Sequence, residues 1–336
     1  MEVAVKMALQ GVTARYGREA LGDSPWELGV MGAAGSYHGD TLGAMDMYEG
    51  GTFNSEVGWN KGRGFWFDAA CVGIKGGAVS VEFLTWMCTK TTNFRTLGEV
   101  YDVSAYLGSE LANPYAARIG RELRMLCTKD SRYGVLALEP PPGGGEMKFI
   151  DPLFQRVQID VARSSEDILF PGLSPHTINA SSSQRRWRGL HLIYDEVFTG
   201  LGRLNSFPSL VLSAYSDIAV YSKLLTGGLV PLSATLATAE IFEAFLDDRK
   251  WRALLHGHSY TAYPVGCAVA NKSLELLEDT MQGNEWRDVN KMWTPDKARP
   301  ISSTSTSAFW NAGVDVRTEG EAAWIQEHGA CGRLGS

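Results

Sequence analysis

The stretch LIYDEVFTGLGR, residues 192–203, decides the fold. It runs an apolar strand into two adjacent carboxylates, Asp195 and Glu196, and then into a loop that carries Gly200, Gly202 and Arg203. Similar short apolar runs recur on either side: VLALE at 135–139, HLIYDE at 191–196, DIAVYSK at 217–223 and LSATLAT at 232–238. Their length and flanks predict buried strands, and residues 114–128, 239–248 and 265–279 have helical spacing. Strands alternating with helices imply an α/β fold, a mainly parallel sheet wrapped by helices. In such sheets ligands collect outside the carboxyl ends of the strands. Asp195 lies at one such end and Lys223 at the end of the next predicted strand, so two ionisable groups of opposite sign meet at neighbouring strand ends.

Composition narrows the function classes. The chain has 336 residues, 44% of them hydrophobic, which suffices for a sizeable core. Its formal charge of −7 and the lack of any basic, aromatic-interleaved run argue against nucleic acid as a partner. No stretch reaches the ~18 apolar residues of a membrane span, and no leader opens the chain, so a soluble protein is expected. Five widely spaced cysteines without a C-x-x-C pair fit reduced thiols in an intracellular compartment and predict no metal site.

Three regions depart from the regular alternation. EPPPGGGEM, 139–147, lacks a phosphate-loop signature and is expected to be a turn. Residues 160–190 have no sustained period and are expected to form a long irregular insert. Periodicity also fades after Asn284, so the organisation expected is a domain over 1–283 followed by a degenerate or disordered segment over 284–336. At the other end, Met1, Val5, Ala8, Leu9 and Val12 share a helical face with no capping residue before it. The helix is therefore expected to continue from chain upstream.

An amine and a carboxylate at adjacent strand ends are the minimum kit for pyridoxal 5′-phosphate. The lysine can form a Schiff base with the aldehyde, and the aspartate can keep the pyridine nitrogen protonated so that the ring accepts electrons. Taken singly, Asp-Glu at a strand end reads as a cap or solvated turn, and Tyr37-His38 in G-S-Y-H-G as a turn with a satisfied histidine. Arg203 and Lys223 read singly as surface cations. Together, YDEVFTGLGR, YSKLLTGG, SYHGDTLGAMD at 36–46 and HGHSYTAYPVGCAVAN at 256–271 resemble the class III aminotransferases of fold type I. Within that family they resemble most the 7,8-diaminopelargonate aminotransferases, in the form fused behind a dethiobiotin synthetase domain.

The resemblance implies roles residue by residue. Lys223 would bind the cofactor and move the substrate proton, and Asp195 would pair with the pyridinium nitrogen. Val197 would pack under the ring and Tyr37 stack over it. His258 and Ser259 would reach the cofactor phosphate across a homodimer, and Asp40 with Arg203 would stand at the substrate entrance. The implied substrates are 7-keto-8-aminopelargonate and the amino donor S-adenosylmethionine, in biotin synthesis, with a mitochondrial location or otherwise a cytoplasmic one. Against the family pattern the Gly-Ser turn before the first helix, the closing N-terminal segment and the C-terminal domain are missing. The resemblance spans 1–159 and 190–285. These departures predict weak cofactor binding and little activity from the chain as written. Two alternatives stay open: another class III ω-aminotransferase, or a catalytically silent chain of the same fold.

Overall fold

In a computed structural model of the chain, the described residues are 1–17, 28–75, 78–84, 87, 91–128, 131–140, 148–171, 189–203, 211–257 and 259–284. The chain opens on helix α1 (Glu2–Tyr16) and enters strand β1 (Leu28–Ala33), after which the short helix α2 (Leu42–Met45) precedes β2 (Gly64–Phe67). A hairpin-like group follows, β3 (Cys71–Lys75), β4 (Ala78–Glu82) and β5 (Thr91–Phe94), then helices α3 (Leu97–Tyr101), α4 (Val103–Tyr106) and α5 (Ala112–Leu126). Strand β6 (Arg132–Leu138) leads to α6 (Pro152–Ser164) and α7 (Glu166–Leu169), and β7 (His191–Asp195), β8 (Ile218–Tyr221) and β9 (Ala234–Ala237) complete the strands. Helices α8 (Ala239–Glu243) and α9 (Pro264–Gln282) follow.

The main sheet has six strands in the order β2-β1-β6-β7-β8-β9. All its neighbours pair in parallel except β8 and β9, which are antiparallel. The expected mainly parallel sheet is therefore present with a reversed edge strand. A separate antiparallel sheet has the order β3-β4-β5, and an isolated antiparallel bridge pairs its Cys71 with Ile150. Every residue of β1, β7 and β8 is buried, as interior strands of a parallel sheet with helices on both faces are.

Helix α1 lies across one face. Ala4, Val5 and Ala8 pack with Val30, Val135, Ile193, Ile218 and Val220, whereas Val12 and Tyr16 belong to the larger cluster on the other side. Small residues let the helix approach closely: a Cβ on Gly11 would come within 2.9 Å of the His191 ring. On the opposite face α5 and α6 bury Tyr115, Ile119, Leu123, Phe154 and Ile159.

The expected irregular insert begins later than the sequence suggests. Helix α6 runs on to Ser164, α7 adds another turn, and Leu169 and Phe170 enter the core, Phe170 stacked on Tyr16 with centroids 4.4 Å apart. The Ser and Arg content of this stretch hid two short apolar clusters. Residues 172–188, most of the Pro/Gly loop at 141–147 and the tail at 285–336 lie outside the described residues. Among the described residues Cys71, Cys127 and Cys267 form no disulfide, no helix is long and apolar enough to cross a membrane, and no side chains cluster as a metal site would need.

Candidate active site

The carboxyl ends of β1, β6, β7 and β8 converge, and their last residues and following loops build one site. Asp195 ends β7 in register with Val220 of β8, which brings the following Lys223 to the neighbouring strand end. The Asp195 carboxylate is buried, 5% exposed, and both oxygens are engaged: Oδ1 accepts the Val197 amide hydrogen bond at 3.1 Å, and Oδ2 lies 2.8 Å from Nδ1 of His38. A carboxylate only accepts, so the shared proton sits on Nδ1. Burial alone would pull the His38 imidazole down, yet the hydrogen bond and charge of Asp195, with Glu139 behind it, leave it raised overall. Its other nitrogen, Nε2, is buried without a partner.

His38 belongs to the loop after β1, and three anchors hold that loop. The Glu139 carboxylate, at the end of β6, accepts from the Tyr37 amide at 3.0 Å. The Tyr37 hydroxyl donates to Asp40 at 2.8 Å. Glu2, in the first turn of α1, accepts from the Thr41 hydroxyl at 2.6 Å and from the amides of Gly43 and Ala44 at 2.8 and 3.2 Å, which caps α2. The Tyr37 ring lies against Tyr48 and Phe53, at 5.5 and 5.0 Å between centroids. Burial first, then the Asp40 carboxylate, push its phenol up to about 12. Tyr48 and Ser36 add two buried hydroxyls without partners to the same loop.

Two turns shape the Asp195–Lys223 side. After Asp195 the chain folds tightly: the Thr199 hydroxyl donates to Glu196 Oε2 at 2.7 Å and the Gly200 amide to the Glu196 carbonyl at 3.0 Å. A Cβ on Gly200 would lie 2.9 Å from that carbonyl and 2.9 Å from the Tyr221 ring, so the glycine is a steric requirement. After β8, Lys223 opens a single 3-10 turn, Lys223–Thr226, with φ of +51°. A left-handed lysine carries strain of about 1–2 kcal/mol, which the surroundings must impose. The Ser222 hydroxyl donates to Leu232 O at 2.9 Å, Thr226 to Val230 O at 2.7 Å, and Ser273 of α9 to Leu224 O at 2.9 Å. The Lys223 ammonium then rests 5.1 Å from the Phe198 ring centroid, and the Arg203 guanidinium 4.8 Å from the same centroid.

Helix α1 points its start at this site. Burial lowers the Met1 amine, while the charges of Asp195 and Glu2 act on it in the opposite sense. The positive end of the helix dipole is thus within electrostatic reach of the buried carboxylate.

Of the residues singled out from sequence, Tyr37, Asp40, Asp195, Val197, Arg203 and Lys223 gather here. Asp40 and Arg203 do not meet in an ion pair; Asp40 is tied to Tyr37 and Arg203 to Phe198. Ser259 is an exposed turn residue ahead of α9, and His258 lies outside the described residues. Sequence reasoning passed over His38, Glu139 and Phe198. The available signal was position: each lies within three residues of a singled-out residue or at the end of a predicted strand.

Comparisons with known proteins agree with this architecture. The family model described as aminotransferase class-III matches residues 182–296. A bifunctional dethiobiotin synthetase/adenosylmethionine-8-amino-7-oxononanoate aminotransferase of Emericella nidulans is 42% identical over 299 residues, 87% of this chain and 37% of that protein. A bifunctional dethiobiotin synthetase/7,8-diamino-pelargonic acid aminotransferase of Oryza sativa subsp. japonica, named as mitochondrial, is 34% identical over 83% of this chain and 33% of its own length. Among solved structures, an amine transaminase from an uncultivated Pseudomonas species in its PLP-bound form superimposes with a TM-score of 0.58 at 21% identity, covering 86% of this chain and 54% of that one. The chain thus spans about a third of the length of these curated relatives, and the structural likeness is one of fold.

Proposed function

We propose that this chain is a class-III aminotransferase whose site binds pyridoxal 5′-phosphate and transfers an amino group from S-adenosylmethionine to 7-keto-8-aminopelargonate, as the names of its relatives describe for them. The observation that carries this reading is the buried Asp195, backed by His38 and set one strand away from Lys223.

The residues present fit that cofactor. A buried carboxylate in a sheet interior needs a partner to offset its desolvation, and Asp195 still has lone pairs for a pyridinium N–H beyond those used by His38 and Val197. Val197 and Tyr37 offer an aliphatic and an aromatic surface for the two ring faces, and Lys223 offers the amine for the aldehyde. The partnerless buried atoms His38 Nε2, Ser36 Oγ and Tyr48 Oη show that this end of the sheet has polar groups to spare. Ser259 and His258 would serve the phosphate of a second subunit, so the working unit in this reading is a homodimer.

When bound, the cofactor supplies an electron sink for the bond being broken at the substrate carbon. The chain's own groups do the rest. Asp195, with His38 behind it, holds positive charge at the ring nitrogen through a hydrogen bond in a site of low dielectric, where it is strong. Lys223 Nζ, once free, accepts the substrate proton and returns it one position away. Tyr37 fixes the slot above the ring, and its bond to Asp40 keeps the phenol from swinging out. Arg203, exposed at the rim, supplies a cation for a substrate carboxylate. By likeness to the rice relative, the compartment is mitochondrial.

The test is a titration with pyridoxal 5′-phosphate followed by an assay of diaminopelargonate formation with S-adenosylmethionine as donor. Formation of that product supports the reading. Cofactor binding with turnover of other amines alone would move the substrate assignment to another ω-aminotransferase.

A further inference from the structure

We infer that Phe198 is a positioning residue for Lys223: its ring is the seat on which the lysine ammonium rests, and the same ring carries the Arg203 guanidinium. The inference rests on the proposed role of Lys223 as the reactive amine and extends it to a residue that neither the motifs nor the comparisons single out.

Two cations approach one ring. Lys223 Nζ lies 5.1 Å and Arg203 Cζ 4.8 Å from the Phe198 centroid, both inside the roughly 6 Å range over which a ring's negative face attracts a cation. Asp195 stands at the neighbouring strand end, yet among the described residues Lys223 makes no ion pair with it; the Asp195 partners are His38 Nδ1 at 2.8 Å and the Val197 amide at 3.1 Å. A lysine locked against a buried carboxylate would be held in place by a charge pair. A ring holds it more weakly, so the amine is kept near its place of work and stays releasable.

The backbone on both sides is built to make this meeting reproducible. Phe198 sits in a turn closed by the Asp195–Val197, Glu196–Thr199 and Glu196–Gly200 hydrogen bonds, which fix the backbone that carries its ring. Lys223 leaves its strand end from a left-handed residue fixed by Ser222, Thr226 and the α9 residue Ser273. The strained anchor and the closed turn fix both backbones, so the long lysine stem spans the distance between them.

The test replaces Phe198 with 4-fluoro-, 3,5-difluoro- and pentafluorophenylalanine, near-isosteric rings of falling electron density that keep the packing and weaken only the attraction. The readout is the rate of Lys223 acetylation by trace acetic anhydride at fixed pH, measured on its peptide by mass spectrometry and referenced to the exposed Lys272. The rate should rise in the order of fluorination, about two- to fivefold across the series, and Phe198→Trp should slow it. A rate that stays flat across the series, or falls, overturns the inference. Acetylation needs no cofactor, so this outcome is separate from whether pyridoxal 5′-phosphate binds: a flat series with cofactor attached at Lys223 would sink the role of Phe198 alone, and an ordered series without cofactor attachment would sink the proposed function alone.

Discussion

His38 Nδ1 sits 2.8 Å from Asp195 Oδ2 with both side chains buried, so the residue next to the expected ring-stacking tyrosine is bound to the expected cofactor carboxylate. Removing one member of a buried pair leaves the other charge uncompensated, and His38→Leu should destabilise the fold by about 3–5 kcal/mol in urea unfolding. The pH dependence has a definite sign. A histidine raised in the folded state contributes stability fully below its unfolded value of about 6.5 and loses it as pH rises through the folded value. The wild type should therefore lose more stability between pH 6 and pH 9 than His38→Leu does; equal losses would show that the pair does not carry that charge.

A second buried carboxylate predicts the opposite of a stabilising ion. Asp151 caps α6 through the Leu153 amide and accepts from the Tyr115 hydroxyl at 2.8 Å, but burial pushes its carboxyl up to about 6 against those bonds. A carboxyl raised from an ordinary value near 4 is most favourable below that value, and its contribution is lost as pH climbs from about 4 to 6. At pH 7.5 it costs about 3 kcal/mol, on the order of the shift of two units. Asp151→Asn keeps its oxygen for the Leu153 amide and sets its NH2 against the Tyr115 hydroxyl, which can accept from it. It should be more stable than wild type at pH 7.5, with the difference shrinking towards pH 4 in thermal unfolding.

Strain at Lys223 gives a comparison of two substitutions that both remove the amine. At φ of +51° a Cβ is penalised and glycine is not. Lys223→Gly should be more stable than Lys223→Ala by about 1 kcal/mol, read as a higher melting temperature. The reverse order would mean that the left-handed conformation is not held in solution.

The parts of this site visible in the sequence were those whose chemistry and local pattern coincide. Strands β7 and β8 are continuous apolar runs ended by Asp195 and by Ser222-Lys223, so strand, strand end and reactive group are read from one segment. Strand β1, second from the sheet edge, was not legible because two of its six residues are glycines. Close packing requires them: a Cβ on Gly29 would lie 2.8 Å from the Tyr133 ring, and one on Gly32 3.2 Å from Ala137 O. With β1 unseen, the loop after it could not be brought to the site except by resemblance, and His38 had no visible partner. Glu139 was absorbed into a Pro/Gly loop, and Phe198 looked like one more apolar residue. Both act through contacts 25 to 102 residues away in the chain, which no local period encodes.

The most direct test of the central claim is the site of covalent attachment. The chain is incubated with pyridoxal 5′-phosphate, reduced with borohydride and digested, and the modified lysine is identified by mass spectrometry. The account predicts one dominant label, on Lys223, absent from Lys223→Ala and retained in Asp195→Ala, whose stability and turnover should both fall. Label spread over surface lysines, or undiminished in Lys223→Ala, would contradict it.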